Sequence, residues 1–310
     1  MPVEDFPPLL VLAGPTATGK SEVALALCAD GAGEIISADS AVVYRGLDIG
    51  TDKPTAAALG AVPHHLLSVR DPRASFSLAD YRELADQAIR ACGARGRLPV
   101  LVGGTGLYIR SVLEGGALPP VPAQPDLRAA LARQPAASLH ARLAAADPAA
   151  AARIHPANVR RVIRALEVLA VTGRPISAVW ADSAGQRRPA RVFVLDRPQS
   201  ILRERIGARV ARMLAMGLVA EVKGLLREGV AVDAQSLQAL GYRQTVRWLA
   251  TGGTERDLAE AIVTATAQYA KRQRTWFRRE TGALWIDLGA GPAGDALPEI
   301  RRLWGADRLR

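Results

Sequence analysis

GPTATGKS, Gly14–Ser21, is the stretch whose reading decides the fold. It has the spacing Gly-x4-Gly-Lys-Ser, follows the apolar run LLVLAG (Leu9–Gly14) and opens SEVALALCAD, whose apolar residues recur at helical spacing. A buried strand, a glycine-bearing turn and a helix in that order make a loop for gripping phosphate. Backbone N–H groups of Gly14, Pro15, Thr16, Ala17, Thr18 and Gly19 (proline excepted), with the helix N-terminus behind them, form a nest for an anion. Lys20 adds a point charge, and Ser21 offers a hydroxyl to Mg²⁺. These groups call for a magnesium-bound oligophosphate. They do not say what carries the phosphate.

Outward from the loop, EIIS (Glu34–Ser37), HLLSV (His65–Val69), LPVLVGG (Leu98–Gly104), RVFVLD (Arg191–Asp196) and LWIDL (Leu284–Leu288) read as further short buried strands. SLADYRELADQAIRACGARG (Ser77–Gly96) reads as a helix, with Ser77 as N-cap and glycines at its end. Strands alternating with helices predict an α/β fold, a P-loop NTPase-like parallel sheet covered on both faces. The pattern breaks at ALPPVPAQP (Ala117–Pro125), and from Asp126 to about Gly185 the chain is rich in Ala and Arg with no strand signal. We therefore expect a core of residues 1–118 and 187–310, interrupted by a helical insertion domain, 119–186. Long helical patterns fill Gln199–Glu280.

The 310 residues are 49% hydrophobic, enough for a sizeable core. No apolar run reaches the length of a membrane span, and the run before Gly14 is short and interrupted by Pro7 and Pro8, unlike a signal peptide. Cys28 and Cys92 are too few for a disulfide framework or a cysteine zinc site, so a cytoplasmic protein is expected. The net charge of +10 is unevenly placed. Residues 1–115 carry 10 basic and 13 acidic side chains, whereas residues 116–310 carry 30 and 17. Arg and Ala richness alone can reflect coding-DNA composition, but a basic half beside a mildly acidic one also suits a polyanionic partner.

Many phosphate-transfer enzymes hold Mg²⁺ with an Asp at the end of an apolar strand. LPVLVGG ends in glycines instead, and Asp196 of VFVLD reads as a structural strand end. ISADS (Ile36–Ser40) puts Asp39 just past the second strand, at the sheet edge where ligands bind in open α/β folds. Taken alone, Asp39 reads better as a turn or helix N-cap residue.

Taken together, GPTATGKS, SADSAVVYRGLDIGTDKP, PHHLL, VGGTGLYIRSVLEG, HPANVRRVIRALEV, ALGYRQ and YAKRQRTWFR resemble the tRNA dimethylallyltransferase (isopentenyl-tRNA transferase) family, in the family's order from Leu10 to Arg278. The resemblance implies that the loop holds the pyrophosphate of dimethylallyl diphosphate rather than a nucleotide. The prenyl group would pass to N6 of the adenosine immediately 3′ of a tRNA anticodon (position 37), with diphosphate released and Mg²⁺ as cofactor. Asp39 would take the proton of N6 as a general base, a role typically worth ~10²–10⁴ in rate. Lys20, Thr18 and Arg209 of RERIGARVARML would stabilise the departing diphosphate, with Arg205 as second choice, although either arginine also reads as an exposed helix residue.

For the tRNA anticodon stem-loop the resemblance carries over Asp39, Ser40, Ala41, Val42, Thr105, Arg128, Gln238, Gly241, Tyr242, Arg243, Lys271, Arg274 and Arg278. It also carries the run Arg160, Arg161, Val162, Ile163, Arg164, in which helical spacing leaves Val162 and Ile163 to pack. Val42 departs from the pattern, since many members have Gln there. A monomer with no membrane attachment is expected. Two other readings stay open at this level: a small-molecule or nucleoside kinase using ATP, and an RNA-binding NTPase-like module without chemistry.

Overall fold

The computed structural model describes residues 7–114, 123–182 and 187–306. The chain divides into two compact units, Met1–Leu113 with Arg188–Arg310, and Glu114–Arg187. The expected junction at 118/119 and much of the proline-rich break lie outside the described residues, as do 183–186.

The first unit is built on six strands: Leu9–Ala13 (β1), Gly33–Ser37 (β2), His64–His65 (β3), Leu98–Gly103 (β4), Ala190–Asp196 (β5) and Leu284–Asp287 (β6). They pair in parallel in the order β3-β2-β4-β1-β5-β6, so β5, after the excursion of the second unit, returns beside β1. β1 shows why the strand segments read as unbroken apolar runs. Leu9, Val11 and Ala13 pack into one buried cluster, and Leu10 and Leu12 into another on the opposite face. With side chains alternating at period two, a sheet covered on both faces needs apolar residues at every position. The segment HLLSV departs from expectation. Only His64 and His65 pair, because Leu66 (φ 64°) and Ser68 (φ 53°) turn into the left-handed region and cannot extend the strand.

Helices fill the connections. Ser77 caps Leu78–Ala94 through a reciprocal capping box with Asp80. Four helices, Gln199–Ala215, Leu218–Arg227, Tyr242–Thr251 and Glu255–Phe277, occupy the region between β5 and β6. No described helix is long and apolar enough to cross a membrane. Both cysteines are free and buried.

The second unit is helical, with Pro125–Ala132, Ala136–Ala146, Pro148–Arg153, Val159–Thr172 and Ile176–Asp182 around their own core. Glu167 is fully buried there. Burial opposes its charge, but Arg128 (2.8 Å from each oxygen), Arg164 (2.6 Å) and the Gln124 N–H (2.7 Å) outweigh it and hold the carboxyl down at about 2.

A second buried carboxylate anchors the β2 edge. Glu34 accepts from Arg95 Nε (2.8 Å) and Nη2 (2.6 Å) and meets His65 Nε2 (2.6 Å) and Cys92 Sγ (3.3 Å). Glu34, His65 and Cys92 offer metal-ligand atoms to one another. The Arg95 guanidinium already spans both carboxylate oxygens, which makes this an ion-pair cluster. Arg95 holds Glu34 at about 2, against the opposing effect of burial. Because the folded value lies below the unfolded one, the stabilisation is complete above about pH 4.5 and is lost as pH falls toward 2. Denaturant unfolding of the wild type and Glu34→Gln should therefore show a stability gap that narrows by about 2 kcal/mol between pH 6 and pH 3. A gap independent of pH would remove Arg95–Glu34 as an acid-labile anchor.

Candidate active site

The site forms at the carboxyl edge of the sheet, where β1 is flanked by β4 and β5. The phosphate loop leaves β1 at Gly14 with φ 137°, and a side chain there would collide with the Leu195 carbonyl of β5. Only glycine fits. Gly19 then starts the helix Lys20–Cys28. Around this turn the loop is fastened from several sides. Thr18 is fully buried, and its hydroxyl donates to Pro15 O at 3.0 Å. Arg197, also buried, donates Nε to Thr18 O at 2.9 Å and Nη1 to Gly289 O and Gly291 O. Arg205 Nε donates to Ala17 O at 2.9 Å, and Arg209 Nη1 to Thr16 Oγ1 at 3.1 Å. Gln273 accepts from the Thr16 N–H at 2.9 Å.

Arg209 is braced in turn by the segment after β2. Its Nη2 donates to Thr51 O (3.3 Å) and its Nε lies 3.4 Å from Asp52. That segment is pinned by Glu221, which accepts from the N–H groups of Asp48 (3.0 Å), Ile49 (2.8 Å) and Gly50 (3.3 Å). The GLDIGTDKP stretch thus has a physical role. It presents a carbonyl and a carboxylate that aim one arginine at the loop.

Lys20 Nζ folds back to Pro15 O at 2.6 Å. Burial pushes its amine down to about 7, Asp39 pulls it up and Arg209 pushes it further down. Lys20 and Asp39 thus lie within electrostatic reach of each other, one on the β1 loop and one past β2. Asp39 is exposed, and its Oδ1 accepts from the Ala41 N–H at 2.8 Å. Ser40 N–H donates to Thr105 Oγ1 at 3.3 Å, and Thr105 N–H to Ala38 O at 3.1 Å, so the loop after β4 sets the position of the acid. Tyr269, on the helix Glu255–Phe277, stands beside Thr105 and Gln273. Burial and the Asp39 charge push its phenol up.

With these groups in place the chain can be set beside known proteins. Residues 42–280 match the IPP transferase family. A tRNA dimethylallyltransferase of Thermomicrobium roseum is 46% identical over 91% of this chain and 86% of its own length, and one of Roseiflexus sp. (strain RS-1) is 46% identical over 96% and 98%. This chain belongs to the tRNA dimethylallyltransferase family. Its fold matches the full-length tRNA isopentenylpyrophosphate transferase of Bacillus halodurans at TM-score 0.73 and 38% identity, over 96% of both chains. It also matches a eukaryotic dimethylallyltransferase solved acting on tRNA, at TM-score 0.82 and 25% identity over 96% of this chain and 78% of that one.

Several residues carried over from the family pattern have structural duties here. Val42 (6% exposed) and Val162 (fully buried) are core residues, and Ile163 packs with Val162 in the second unit. Tyr242 is buried, with Oη donating to Glu221 and accepting from the Gly50 N–H at 3.1 Å, so it supports the Asp48–Gly50 turn. Arg128 and Arg164 are committed to Glu167. Arg274 is held by both Asp196 oxygens (2.7–3.1 Å) and by Arg197 O, so it has a structural partner within the first unit. The Thr18 hydroxyl is engaged within the loop itself, on Pro15 O. By contrast Ser21, Ser40, Arg160, Arg161, Gln238, Arg243, Lys271 and Arg278 are exposed, while Ala41 and Thr105 are partly buried and Gly241 is buried. Arg243 lines a cavity of about 440 Å³ with Arg247 and Trp248.

Sequence reasoning missed Arg197, Glu221 and Gln273. Gln273 and Tyr269 sit inside the quoted YAKRQRTWFR motif, where the flanking charges drew the eye. Arg197 and Glu221 carry no sequence signal.

A loop whose lysine is held near 7 without an anion should gain a proton on binding one. Below about pH 7 Lys20 is already charged; above it, an incoming polyanion favours the charged form. Calorimetric titration of inorganic diphosphate at pH 8, in buffers of differing ionisation enthalpy, should show proton uptake by the wild type and none by Lys20→Arg, whose guanidinium stays charged. Equal uptake in both would assign the proton elsewhere.

Proposed function

We propose that this chain transfers the dimethylallyl group of dimethylallyl diphosphate to N6 of the adenosine 3′-adjacent to a tRNA anticodon, position 37. The observation that carries the reading is the placing of Asp39 and the phosphate loop at the same edge of the sheet, past β2 and β1 on either side of β4, with Lys20 within range of the Asp39 charge. N6 attacks the allylic carbon and forms a C–N bond. The carbon–oxygen bond to diphosphate breaks with its electron pair, and the N6 proton passes to the Asp39 carboxylate. N6 is a weak nucleophile because its lone pair is delocalised into the purine, so a base at this point contributes ~10²–10⁴. Charge building on diphosphate meets the loop amides, Lys20 and Arg209.

The donor set at the loop suits Mg²⁺, which keeps several waters and takes few protein ligands. Ser21, whose residue is exposed, would contribute its hydroxyl, with the remaining ligands left to substrate and water. When bound, the ion neutralises leaving-group charge. A Mg²⁺ held mainly by the substrate needs no second carboxylate at the loop. Action as a monomer in the cytoplasm, where mature tRNA is found, belongs to the same reading.

The direct experiment is to incubate the protein with labelled dimethylallyl diphosphate, Mg²⁺ and total tRNA without ATP. Label entering tRNA is expected. ATP turnover in its place selects a kinase. Asp39→Asn should lower the single-turnover rate by about 10² while leaving tRNA affinity nearly unchanged. An unchanged rate at saturating tRNA would dismiss Asp39 as the base.

Adenosine must leave the anticodon stack to reach the edge, and its backbone has to be held meanwhile. Lys271 and Arg278 lie exposed at the end of the helix Glu255–Phe277, and Arg160 and Arg161 at the start of Val159–Thr172. Replacing Lys271 and Arg278 by Ala should flatten the slope of log K for tRNA against log salt by about one to two, at roughly 0.7–0.9 per phosphate. Arg274→Ala should act chiefly on stability, because it strands Asp196. An unchanged slope in the Lys271/Arg278 variant would move the RNA contacts elsewhere.

A further inference from the structure

Gln273 lies four residues before the end of a 23-residue helix, with 6% of its surface exposed. Its carboxamide spans two loops that leave different strands. Oε1 accepts from the Thr16 N–H of the phosphate loop at 2.9 Å, and Nε2 donates to Gly104 O of the loop after β4 at 2.9 Å. The orientation of the amide is fixed by chemistry. One partner is only a donor and the other only an acceptor, so a flipped amide would lose both bonds. Gly104 completes the fit, since a methyl group there would strike Nε2.

The connection continues in both directions. Thr16 Oγ1 accepts from Arg209. On the other side Thr105, next to Gly104, accepts from the Ser40 N–H beside Asp39. An unbroken path therefore runs from the arginine at the diphosphate loop, through Gln273, to the residue flanking the base. The bond to Gln273 also takes the Thr16 N–H out of the phosphate nest, leaving the later amides of the loop to meet an anion.

We propose that Gln273 is a positioning residue for prenyl transfer. Its amide clasps the diphosphate loop to the glycine loop and so sets the separation between the leaving group and Asp39. The inference rests on the transfer reaction proposed above. Gln273 touches neither substrate. It acts through Thr16 and Gly104, and displacement of reacting groups by about 1 Å costs on the order of 10²-fold in rate.

Three full-length variants test it: Gln273→Ala, Gln273→Glu and Gly104→Ala. With donor and tRNA saturating, Gln273→Ala should lower the single-turnover rate by about 10- to 100-fold while tRNA affinity stays within about twofold. Gly104→Ala attacks the same clasp from its other end, so the double variant Gln273→Ala/Gly104→Ala should be no more than about threefold slower than the slower single variant. Gln273→Glu keeps the shape of the side chain. Ionised, it cannot donate to Gly104 O; protonated, it can. Its rate relative to the wild type should therefore rise as pH is lowered, a signature that loss of packing does not give. Should Gln273→Ala prove unfolded by its melting transition, the isosteric Glu variant still decides the question. Single-turnover rates within twofold of the wild type, penalties that multiply in the double variant, or a Gln273→Glu ratio flat with pH would each overturn the clasp. Failure of the wild type itself to label tRNA would overturn the transfer reaction. Inorganic diphosphate binding, weaker by about threefold or more in Gln273→Ala, would then still read whether the clasp shapes the loop.

Discussion

A loop that turns its N–H groups toward a ligand turns its carbonyl oxygens into the protein, and those oxygens have to be met. Here the partners are nearly all cations: Lys20 on Pro15 O, Arg205 on Ala17 O and Arg197 on Thr18 O. Much of the first unit serves this requirement. The helix Gln199–Ala215 exists in the sheet's vicinity to deliver Arg205 and Arg209, spaced four residues apart and so on one face. Strand β5 delivers Arg197 one residue beyond its end. A carbonyl left without such a partner in this buried setting would cost about 1–3 kcal/mol.

The same arrangement concentrates positive charge. Lys20 is held down partly by Arg209, and burial lowers Arg197, on which Arg205 acts in the same direction. Asp52 answers only part of this charge, through one contact to Arg209. Cations pressed together at the edge of a sheet are an electrostatic strain in the free protein, and on the proposed reading a bound diphosphate would relieve it. The strain would then increase the differential stabilisation of a group whose charge grows as it leaves, which is the quantity that accelerates transfer.

The fold was legible from local pattern. Loop, buried strands and the excursion between them all follow from periodicity and from glycine and proline positions, which are short-range properties of the chain. β3 was read too long because apolar content marks a buried segment without revealing where the backbone turns, and Leu66 turns it. The candidate site was legible only where a residue type implies a chemistry. Lys20 and Ser21 stand out through the loop motif, whereas Asp39 stands out only through its place past the second strand and the family resemblance. Gln273 does not, because a neutral amide acquires its role solely from the two loops that the fold brings to it, Thr16 and Gly104, each more than 160 residues away in sequence. Arg274 was misread for the complementary reason. Charge is visible in a sequence, but the acid that neutralises it, Asp196, lies across the fold.

That misreading sharpens what the basic half of the chain is for. Arg128 and Arg164 serve Glu167, Arg274 serves Asp196, Arg188 reaches Asp86 at 2.7 Å, and Arg197 is spent on carbonyls. Arg274 and Arg188 each meet an acid, Arg128 and Arg164 share one, and Arg197 meets carbonyl oxygens, all inside their own units. The charge excess of residues 116–310 must then rest on the exposed remainder, among them Arg160, Arg161, Arg243, Arg247, Lys271 and Arg278. Buried arginines reward a precise acid or carbonyl partner, whereas exposed ones sit on phosphates and exchange with counterions. Two populations under one composition argue against a compositional accident as the whole account. Drift in base composition adds arginine without regard to partners, yet here one set is held by specific acids and carbonyls and the other lies exposed on helices.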